Sequence, residues 1–224
     1  MAILKYKSSS GEIKDLKTVK IKGYSSLDDK YLVSCTNCVI YGNSQKRDLI
    51  QKGQHIYVIA NQLGDKKFNY MQNQLKEIVS YNTVYDFYVH TDTFLEAIFS
   101  DTEVEKQDIV AWQGYELVPD SRDINNYLII RVLEDETPQS YGMLIARTVD
   151  IPDEDMIIEN AGSGTGITKN EQTLSERNID VTYWSRMPAA AWQNHYHIKS
   201  RPFIRTLKND EEIITYGKCM EIQL

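Results

Sequence analysis

The last hundred residues alternate short apolar segments with polar turns, and this alternation constrains the fold more than any other feature of the chain. It opens with the run Tyr-Gly-Met-Leu-Ile-Ala at residues 141–146 and closes with runs at residues 201–206 and 213–217. Pro, Gly, Asn and Asp cluster between the segments. Short strands at regular spacing with turn signals between them are typical of a β-sandwich. We therefore predict an antiparallel β-sandwich over residues 106–224.

The first half of the chain combines strand-like and helix-like patterns, so we predict an α+β region over residues 1–105. Apolar residues recur at helical spacing along residues 67–79, which predicts an amphipathic helix. Asp92 is placed to cap a second, short helix over residues 92–99. The acidic stretch at residues 100–108 marks the boundary between the two predicted domains. The chain as a whole is predicted to be mainly β.

The formal charge of −7 is unevenly distributed along the chain. Residues 1–30 carry seven lysines against four acids, whereas residues 101–160 carry fifteen acids against four bases. Nucleic-acid binding draws mainly on Lys and Arg contacts to phosphate, so we expect no nucleic-acid partner. No apolar run is long enough to span a bilayer, and we expect no membrane partner. The basic start is suited to docking on an acidic surface, with a solvated charged face as the simpler alternative.

The three cysteines, Cys35, Cys38 and Cys219, offer too few ligands for a zinc site, which requires four. Residues three apart in a strand point to opposite faces, so the thiols of Cys35 and Cys38 are expected to diverge. We predict structural thiols, buried in a protein that is made in a reducing cytoplasm. A metal site and a redox pair remain as alternatives.

No motif in the chain predicts catalysis, a cofactor or a metal ion. His195 and His197 share one strand face without a third ligand nearby. The Gly-rich run at residues 162–166 lacks the Lys-Ser/Thr of a phosphate-binding loop, and the acidic turn at residues 151–155 lacks the spacing of a calcium loop. We therefore predict no catalytic, cofactor-binding or metal-binding residues. The alternative is an enzyme whose site is assembled from distant loops.

Residues 125–224 resemble the immunoglobulin-like β-sandwich repeats of bacterial surface and S-layer-associated proteins. The chain departs from those repeats in carrying Pro202 where a small residue is usual, and in its Gly-rich insertion at residues 162–166. The resemblance implies an immunoglobulin-like fold and a display role, and no chemistry. The residues that carry it are the Tyr-Gly at 141–142 with the apolar run after it, Arg201, Phe203 and Ile204, and the closing Tyr216-Gly217.

Residues 2–17 resemble the starts of many virion proteins of tailed bacteriophages, such as head fibres, decoration proteins and tail fibres. The shared pattern is a short apolar and basic strand, a polar turn with Gly, and a second strand. A surface-type sandwich with no export signal ahead of it fits a virion component better than an exported cell-wall protein. A virion component reaches the outside when the host lyses. The two resemblances together imply a virion protein made in the host cytoplasm.

We therefore predict a non-enzymatic structural component of a phage virion, of the head fibre, capsid decoration or tail accessory type. Its expected partners are capsid or other virion proteins and further copies of the chain as a homo-oligomer. The alternative is a bacterial surface, adhesion or carbohydrate-binding sandwich, in which Trp192 contacts a glycan and Tyr183 and Trp184 are further candidates. A host-surface glycan is accordingly a candidate partner. The residues predicted to anchor the chain to the particle are Leu4, Tyr6, Ile13 and Leu16.

Overall fold

The computed structural model describes residues 5–7, 13–15, 30–42, 45–118, 123–186 and 197–223. These residues form eighteen β-strands and two short 3-10 helices, Asp153–Asp155 and Ile158–Asn160, and they contain no α-helix. The protein is mainly β, as the sequence predicted. The strands are β1 (Lys5–Lys7), β2 (Ile13–Asp15), β3 (Lys30–Thr36), β4 (Cys38–Ile40), β5 (Arg47–Gln51), β6 (His55–Ala60), β7 (Lys67–Gln72), β8 (Ile78–Ser80), β9 (Val84–Tyr88), β10 (Thr93–Ser100), β11 (Ile109–Val118), β12 (Asp123–Arg131), β13 (Thr137–Ala146), β14 (Ile167–Thr173), β15 (Asn178–Arg186), β16 (His197–Lys208), β17 (Glu211–Tyr216) and β18 (Met220–Gln223).

Residues 30–100, called here the N-terminal half, form two sheets that share one core. The larger sheet has the order β5-β3-β10-β7-β8, and the smaller has the order β4-β6-β9. Strands β3 and β10 are neighbours in the larger sheet and run parallel to each other. All other strand pairs of the two sheets are antiparallel. Inward side chains of both sheets, such as Val33, Val58, Phe87 and Ala97, form one buried cluster. Sharing a core is what makes two short sheets stable in water.

Residues 109–223, called here the C-terminal half, form an immunoglobulin-like antiparallel β-sandwich. One sheet has the order β11-β12-β15, and the other has the order β14-β13-β16-β17, with β18 also paired to β16. All these pairs are antiparallel. The order corresponds to strands A-B-E facing C′-C-F-G of an immunoglobulin-type sandwich. The core between the sheets contains Trp112, Leu128, Met143, Tyr183 and Ile204.

The predicted helix over residues 67–79 is wrong, because these residues form β7, a tight turn and β8. The Asn73 side chain stabilises the turn by accepting hydrogen bonds from two of its N–H groups, including that of Glu77 at 3.0 Å. Met71 from β7 and Val79 from β8 enter the same core. The turn between the two short strands interrupts their alternation. The combined spacing of the apolar residues therefore resembles that of a helix.

The predicted helix over residues 92–99 is also wrong, because β10 occupies these residues. Asp92 does not cap a helix; its carboxylate accepts a hydrogen bond from the N–H of Leu32 at 2.8 Å. Along β10, buried Thr93, Leu95 and Ala97 alternate with half-buried residues 94, 96 and 98, which is the period of a strand. Pairing with β3 on one side and β7 on the other overrides the helix propensity of this segment.

A buried carboxylate on the β7–β8 hairpin joins the two halves. Glu77 accepts hydrogen bonds from the backbone N–H groups of Trp112 at 2.9 Å and Lys218 at 2.8 Å. The Asn73 amide donates to Glu77 at 2.8 Å and to the carbonyl of Trp112 at 2.7 Å. The indole N–H of Trp112 donates to the carbonyl of Lys218 at 2.9 Å. Burial raises the pKa of Glu77, while these donors oppose that rise by stabilising the ionised form.

The core of the N-terminal half also continues into the C-terminal half. Ile109, Ala111 and Ile129, on β11 and β12, belong to the same buried cluster as the inward residues of the first two sheets. No sheet in the described ranges mixes strands from the two halves. Because the core crosses the boundary, the division into domains 1–105 and 106–224 stays a prediction. None of the described residues forms a helix long and apolar enough to cross a membrane.

Candidate binding surface

The outer face of the β4-β6-β9 sheet exposes aromatic side chains. Alternation along β6 and β9 sends Ile56, Val58 and Phe87 inward and leaves the intervening residues on the outer face. Eight large hydrophobic side chains are exposed among the described residues, and four of them belong to this small sheet or to the residue after β4. Clustered exposed apolar side chains indicate a contact surface, whereas scattered ones do not. The four are Tyr41, Tyr57, Val84 and Tyr88.

Four rings follow one another across this face, and we call them the aromatic strip: Tyr41, Tyr57, His55 and Tyr88. Their centroids are separated by 6.4 Å from Tyr41 to Tyr57, 4.9 Å from Tyr57 to His55 and 4.7 Å from His55 to Tyr88. The three tyrosines are 69%, 43% and 51% exposed, in that order. Cross-strand pairing fixes the spacing, because His55 lies opposite Tyr88 in the β6–β9 ladder.

Asp86 contacts the ring of His55, which lies between Tyr57 and Tyr88 in the strip. Its carboxylate lies 2.9 Å from Nε2 of His55, on the diagonal of the β6–β9 ladder. The His55 ring therefore has one polar anchor and two aromatic neighbours, Tyr57 and Tyr88. A ring fixed in this way keeps Tyr88 in one orientation without covering its exposed face. The strip is preorganised by contacts within the sheet.

The aromatic strip ends at a groove between the two halves, with a volume of about 1020 Å³. His55, Asp86 and Tyr88 line it on one side, together with the β8–β9 turn at residues 80–82. The end of β12 and the start of β15 line the other side. We call this space the groove. Its size lies at the upper end of the range that ligand sites occupy in proteins.

The walls of the groove carry ordered polar groups. Arg131 forms an ion pair with Asp180 at 2.8 Å and also donates to the carbonyl of Ile179 at 3.1 Å. The Tyr81 hydroxyl accepts a hydrogen bond from the N–H of Gln107 at 3.1 Å. Burial raises the pKa of Tyr81, so this hydroxyl stays protonated at neutral pH. The groove thus offers planar donors and acceptors in fixed positions.

The sequence-predicted contact residues are dispersed. Leu4, Leu16 and Trp192 lie outside the described residues, while Tyr6 and Ile13 lie in the paired strands β1 and β2. Of the other two candidate glycan contacts, Tyr183 is buried in the core of the C-terminal half and Trp184 is 55% exposed on β15. None of these residues belongs to the aromatic strip.

The cysteines differ from their prediction in one respect. Cys35 and Cys38 are buried as predicted, but their thiols do not diverge. Asn37, between β3 and β4, has a left-handed φ of 59°, and this turn directs both thiols into the same core. The Cys35 thiol donates to the carbonyl of Cys38, and the Cys38 thiol donates to that of Thr36, each at 3.2 Å. The interaction between the two neighbouring side chains lowers the pKa of Cys35 and raises that of Cys38. Cys219 is half-buried, and burial raises its pKa to about 11.

The remaining candidate motifs have local structural roles or lie outside the described residues. His195 is outside them, and His197 is exposed on β16. The Gly-rich run at residues 162–166 is followed by strand β14 and not by a helix. Asp153 of the acidic turn pairs with Lys199 at 2.8 Å. Across the ranges that the structure describes, no three His, Cys, Asp or Glu side chains converge as metal ligands.

Comparisons with known proteins show no family. No protein-family model matches the chain, and no curated protein matches it. Among solved structures, the chain is similar to a DUF3823 family protein from Bacteroides ovatus ATCC 8483, with a TM-score of 0.35 and 8% sequence identity. That alignment covers 88% of this chain and 92% of the other. At this TM-score the likeness carries no argument about fold or function.

Sequence reasoning missed the aromatic strip, although β9 carried a signal for part of it. The segment Val-Tyr-Asp-Phe-Tyr at residues 84–88 has an acid at its centre. With a period of two, Asp86 on the solvent side places Tyr88 on that side as well. Tyr57 and His55 have no such marker, because only the pairing of β6 with β9 brings them beside Tyr88.

Proposed function

We propose that the chain is a non-enzymatic structural component of a phage virion, of the head fibre, capsid decoration or tail accessory type. The N-terminal part anchors it to the particle, and the C-terminal sandwich is displayed. Capsid or other virion proteins and further copies of the chain are its partners. The observation that supports the proposal is the junction between the two halves, where a shared core and buried hydrogen bonds join them.

The junction supports a mechanical role because it combines polar and apolar contacts. The Asn73 side chain donates a hydrogen bond to Glu77. Three further hydrogen bonds connect these two side chains to the backbone of Trp112 and Lys218. A second bridge joins Lys52 to Glu116 at 2.6 Å, and Glu116 also accepts from the hydroxyl of Tyr127 at 2.8 Å. Breaking a buried network of this kind leaves unpaired polar groups, which opposes bending.

The start of the chain supports an anchoring role. Strands β1 and β2 pair as an antiparallel hairpin, and residues 1–30 carry a net charge of +3 from seven lysines and four acids. An isolated two-stranded hairpin is marginal in water and gains stability from a partner. A basic hairpin is suited to an acidic shell surface.

The test is the protein content of purified particles. A chain that lacks residues 1–22 is expected to fall out of particles, while its melting temperature stays close to that of the full chain. Quantitative mass spectrometry of gradient-purified phage particles measures incorporation, and calorimetry measures melting. The matched control is Glu103→Gln with Glu105→Gln, which alters an exposed charged segment outside the hairpin.

Three outcomes would contradict the proposal or a part of it. Normal incorporation of the shortened chain would show that the hairpin is not the anchor. Absence of the full chain from purified particles would rule out a virion role altogether. Turnover of a substrate in a panel of hydrolase assays would overturn the non-enzymatic part.

A further inference from the structure

We propose that the aromatic strip and the groove together form a binding site for an uncharged oligosaccharide, with Tyr88 as its central stacking platform. This inference adds a ligand to the structural role and does not depend on it. It rests on three observations: exposed rings held in fixed orientations, planar polar groups around an adjoining cavity, and a balance of charge in that cavity.

The rings supply the first requirement. A pyranose presents an apolar face of C–H groups, and such a face packs against an exposed aromatic ring whose other side is supported. Tyr88 meets this description, because about half of its surface is exposed and the His55 ring packs 4.7 Å from it. The contact of His55 with Asp86 at 2.9 Å fixes that support. Binding then costs little ordering of the protein, which favours affinity.

The groove supplies the second requirement. Sugar hydroxyls are both donors and acceptors, so a site for them needs both kinds of partner in fixed positions. Arg131 and Asp180 hold each other at 2.8 Å on one wall, and Asn82 and Tyr81 line the opposite wall. Planar guanidinium, carboxylate and amide groups can each make two hydrogen bonds to neighbouring hydroxyls.

The charge of the groove selects an uncharged ligand. Its lining includes three bases and four acids, a near balance. A nucleic acid or a sulfated glycan would require an excess of bases to neutralise its anions. A protein partner would favour an apolar centre depleted of charge, and seven charged side chains oppose that. The charged lining residues are Lys106, Arg131 and Arg177, with Asp86, Glu134, Asp135 and Asp180.

The size of the groove and the extent of the strip indicate that the ligand is an oligosaccharide and not a monosaccharide. The groove has a volume of about 1020 Å³, which exceeds what one monosaccharide fills. Beyond it the strip continues through Tyr57 to Tyr41, whose ring lies 6.4 Å from that of Tyr57. We therefore place one end of the oligosaccharide in the groove and let the following units stack along the strip.

The experiment uses the full chain on a glycan microarray of neutral and acidic oligosaccharides, followed by titration calorimetry with the strongest neutral binder. Tyr88→Ala is expected to weaken binding by roughly fivefold to tenfold, because one aromatic contact is worth about 1–1.4 kcal/mol. Tyr88→Phe keeps the ring and is expected to retain most of the affinity. Trp184→Ala is the matched control, since Trp184 is an exposed aromatic residue of the other half.

His55 is a positioning residue in this account, and its variants separate support from contact. His55→Ala is expected to weaken binding. His55→Phe keeps a ring between Tyr57 and Tyr88. Because it loses the contact with Asp86, it is expected to restore binding only in part. If His55 were needed only for folding, its variants would lower the melting temperature along with the affinity for the glycan. Calorimetry measures the melting temperature of each variant without ligand. An unchanged melting temperature would exclude a role in folding alone.

Four outcomes would overturn the proposal. They are the absence of any neutral binder on the array, binding restricted to acidic glycans, affinity that falls with Trp184→Ala but not with Tyr88→Ala, and dimerisation that Tyr88→Ala abolishes. Light scattering detects the last of these and would assign the strip to a second copy of the chain. None of the four bears on whether the protein is part of a particle.

Discussion

The two halves of the molecule differ in whether the outer face of a sheet is covered by other parts of the chain. In the C-terminal half, the outer face of the β13–β16 sheet is covered by the chain's own residues 151–161. Met156 of this segment and Phe203 of the sheet are both fully buried between them. In the N-terminal half, no part of the described chain covers the outer face of β4-β6-β9. Its tyrosines are 43–69% exposed.

The covering segment, residues 151–161, is held by the motif through which the sequence resembled surface repeats. Arg201 donates to the carbonyls of Asp153 at 3.0 Å and Met156 at 3.2 Å. Its guanidinium also lies 4.7 Å from the ring centroid of Tyr216. Covering an apolar face stabilises the fold, and leaving one open does not. This difference is why we propose an external ligand for the aromatic strip and none for the β13–β16 face.

The largest expected effect comes from removing a ring from the covered face. Phe203→Ala is expected to lower the free energy of unfolding by about 3–5 kcal/mol, because a fully buried ring leaves a cavity. Tyr57→Ala, on the open face, is expected to change it by about 0.5 kcal/mol or less. Urea denaturation of both variants measures the contrast. Equal losses would erase the distinction between the two faces.

The next effect concerns the close approach of Gly142 to Phe203 across the β13–β16 ladder. A Cβ on Gly142 would lie 2.2 Å from the carbonyl oxygen of Asn170 and 2.5 Å from Phe203 Cζ. Gly142→Ala is therefore expected to destabilise the fold by about 1–3 kcal/mol, measured by the same denaturation. Gly162→Ala is the control, since a Cβ there meets nothing within 4 Å. A neutral Gly142→Ala would mean that the covered face is loosely packed.

An effect of similar size is expected from Arg201→Ala, which releases the covering segment. The loss of charged hydrogen bonds to three carbonyls is expected to cost about 1.5–3 kcal/mol. It should also increase proteolysis within residues 151–161, which limited digestion with mass spectrometry detects. Arg147→Ala, at an exposed position just after β13, is the control. Unchanged cleavage in Arg201→Ala would show that the segment is held by its apolar contacts alone.

The smallest effect concerns the ion pair between Asp153 and Lys199. The Lys199 ammonium holds the pKa of Asp153 below its usual range, so the pair stabilises the fold above the unfolded pKa. That stability is lost as pH falls through the lowered pKa. Asp153→Asn is expected to cost about 0–1 kcal/mol at pH 7, since the carboxylate is largely exposed. In a pH series of denaturation curves, the difference from the parent protein should shrink as the pH falls through the lowered pKa of Asp153 and vanish below it. A difference that persists there would assign the effect to packing.

The sequence predicted the second half of the fold better than the first, for a physical reason. In the C-terminal half, strand patterns and turn residues agree with each other, and the Tyr-Gly, Arg201 and Phe203 motif marks one ladder. In the N-terminal half, β10 contains Leu, Glu and Ala, which favour a helix when considered alone. Its state is decided by β3, some sixty residues away in sequence, and local patterns do not reveal such pairing.

The same argument explains what could be predicted of the candidate site. The outward position of Tyr88 can be inferred from Asp86 on the same strand. The groove could not be predicted, because its walls come from turns and strand ends that are brought together only by the packing of the two halves. Trp192 is a candidate by residue type alone, and it lies outside the described residues.

Hydroxyl-radical footprinting of the free chain tests the central claim most directly. The claim is that the aromatic strip is uncovered in the free protein while the β13–β16 face is closed. We predict that Tyr41, Tyr57 and Tyr88 are oxidised about as readily as the exposed Trp184, and that Phe203 stays unmodified. Tyr57 and Tyr88 as strongly protected as Phe203 would contradict the account, because both faces would then be covered.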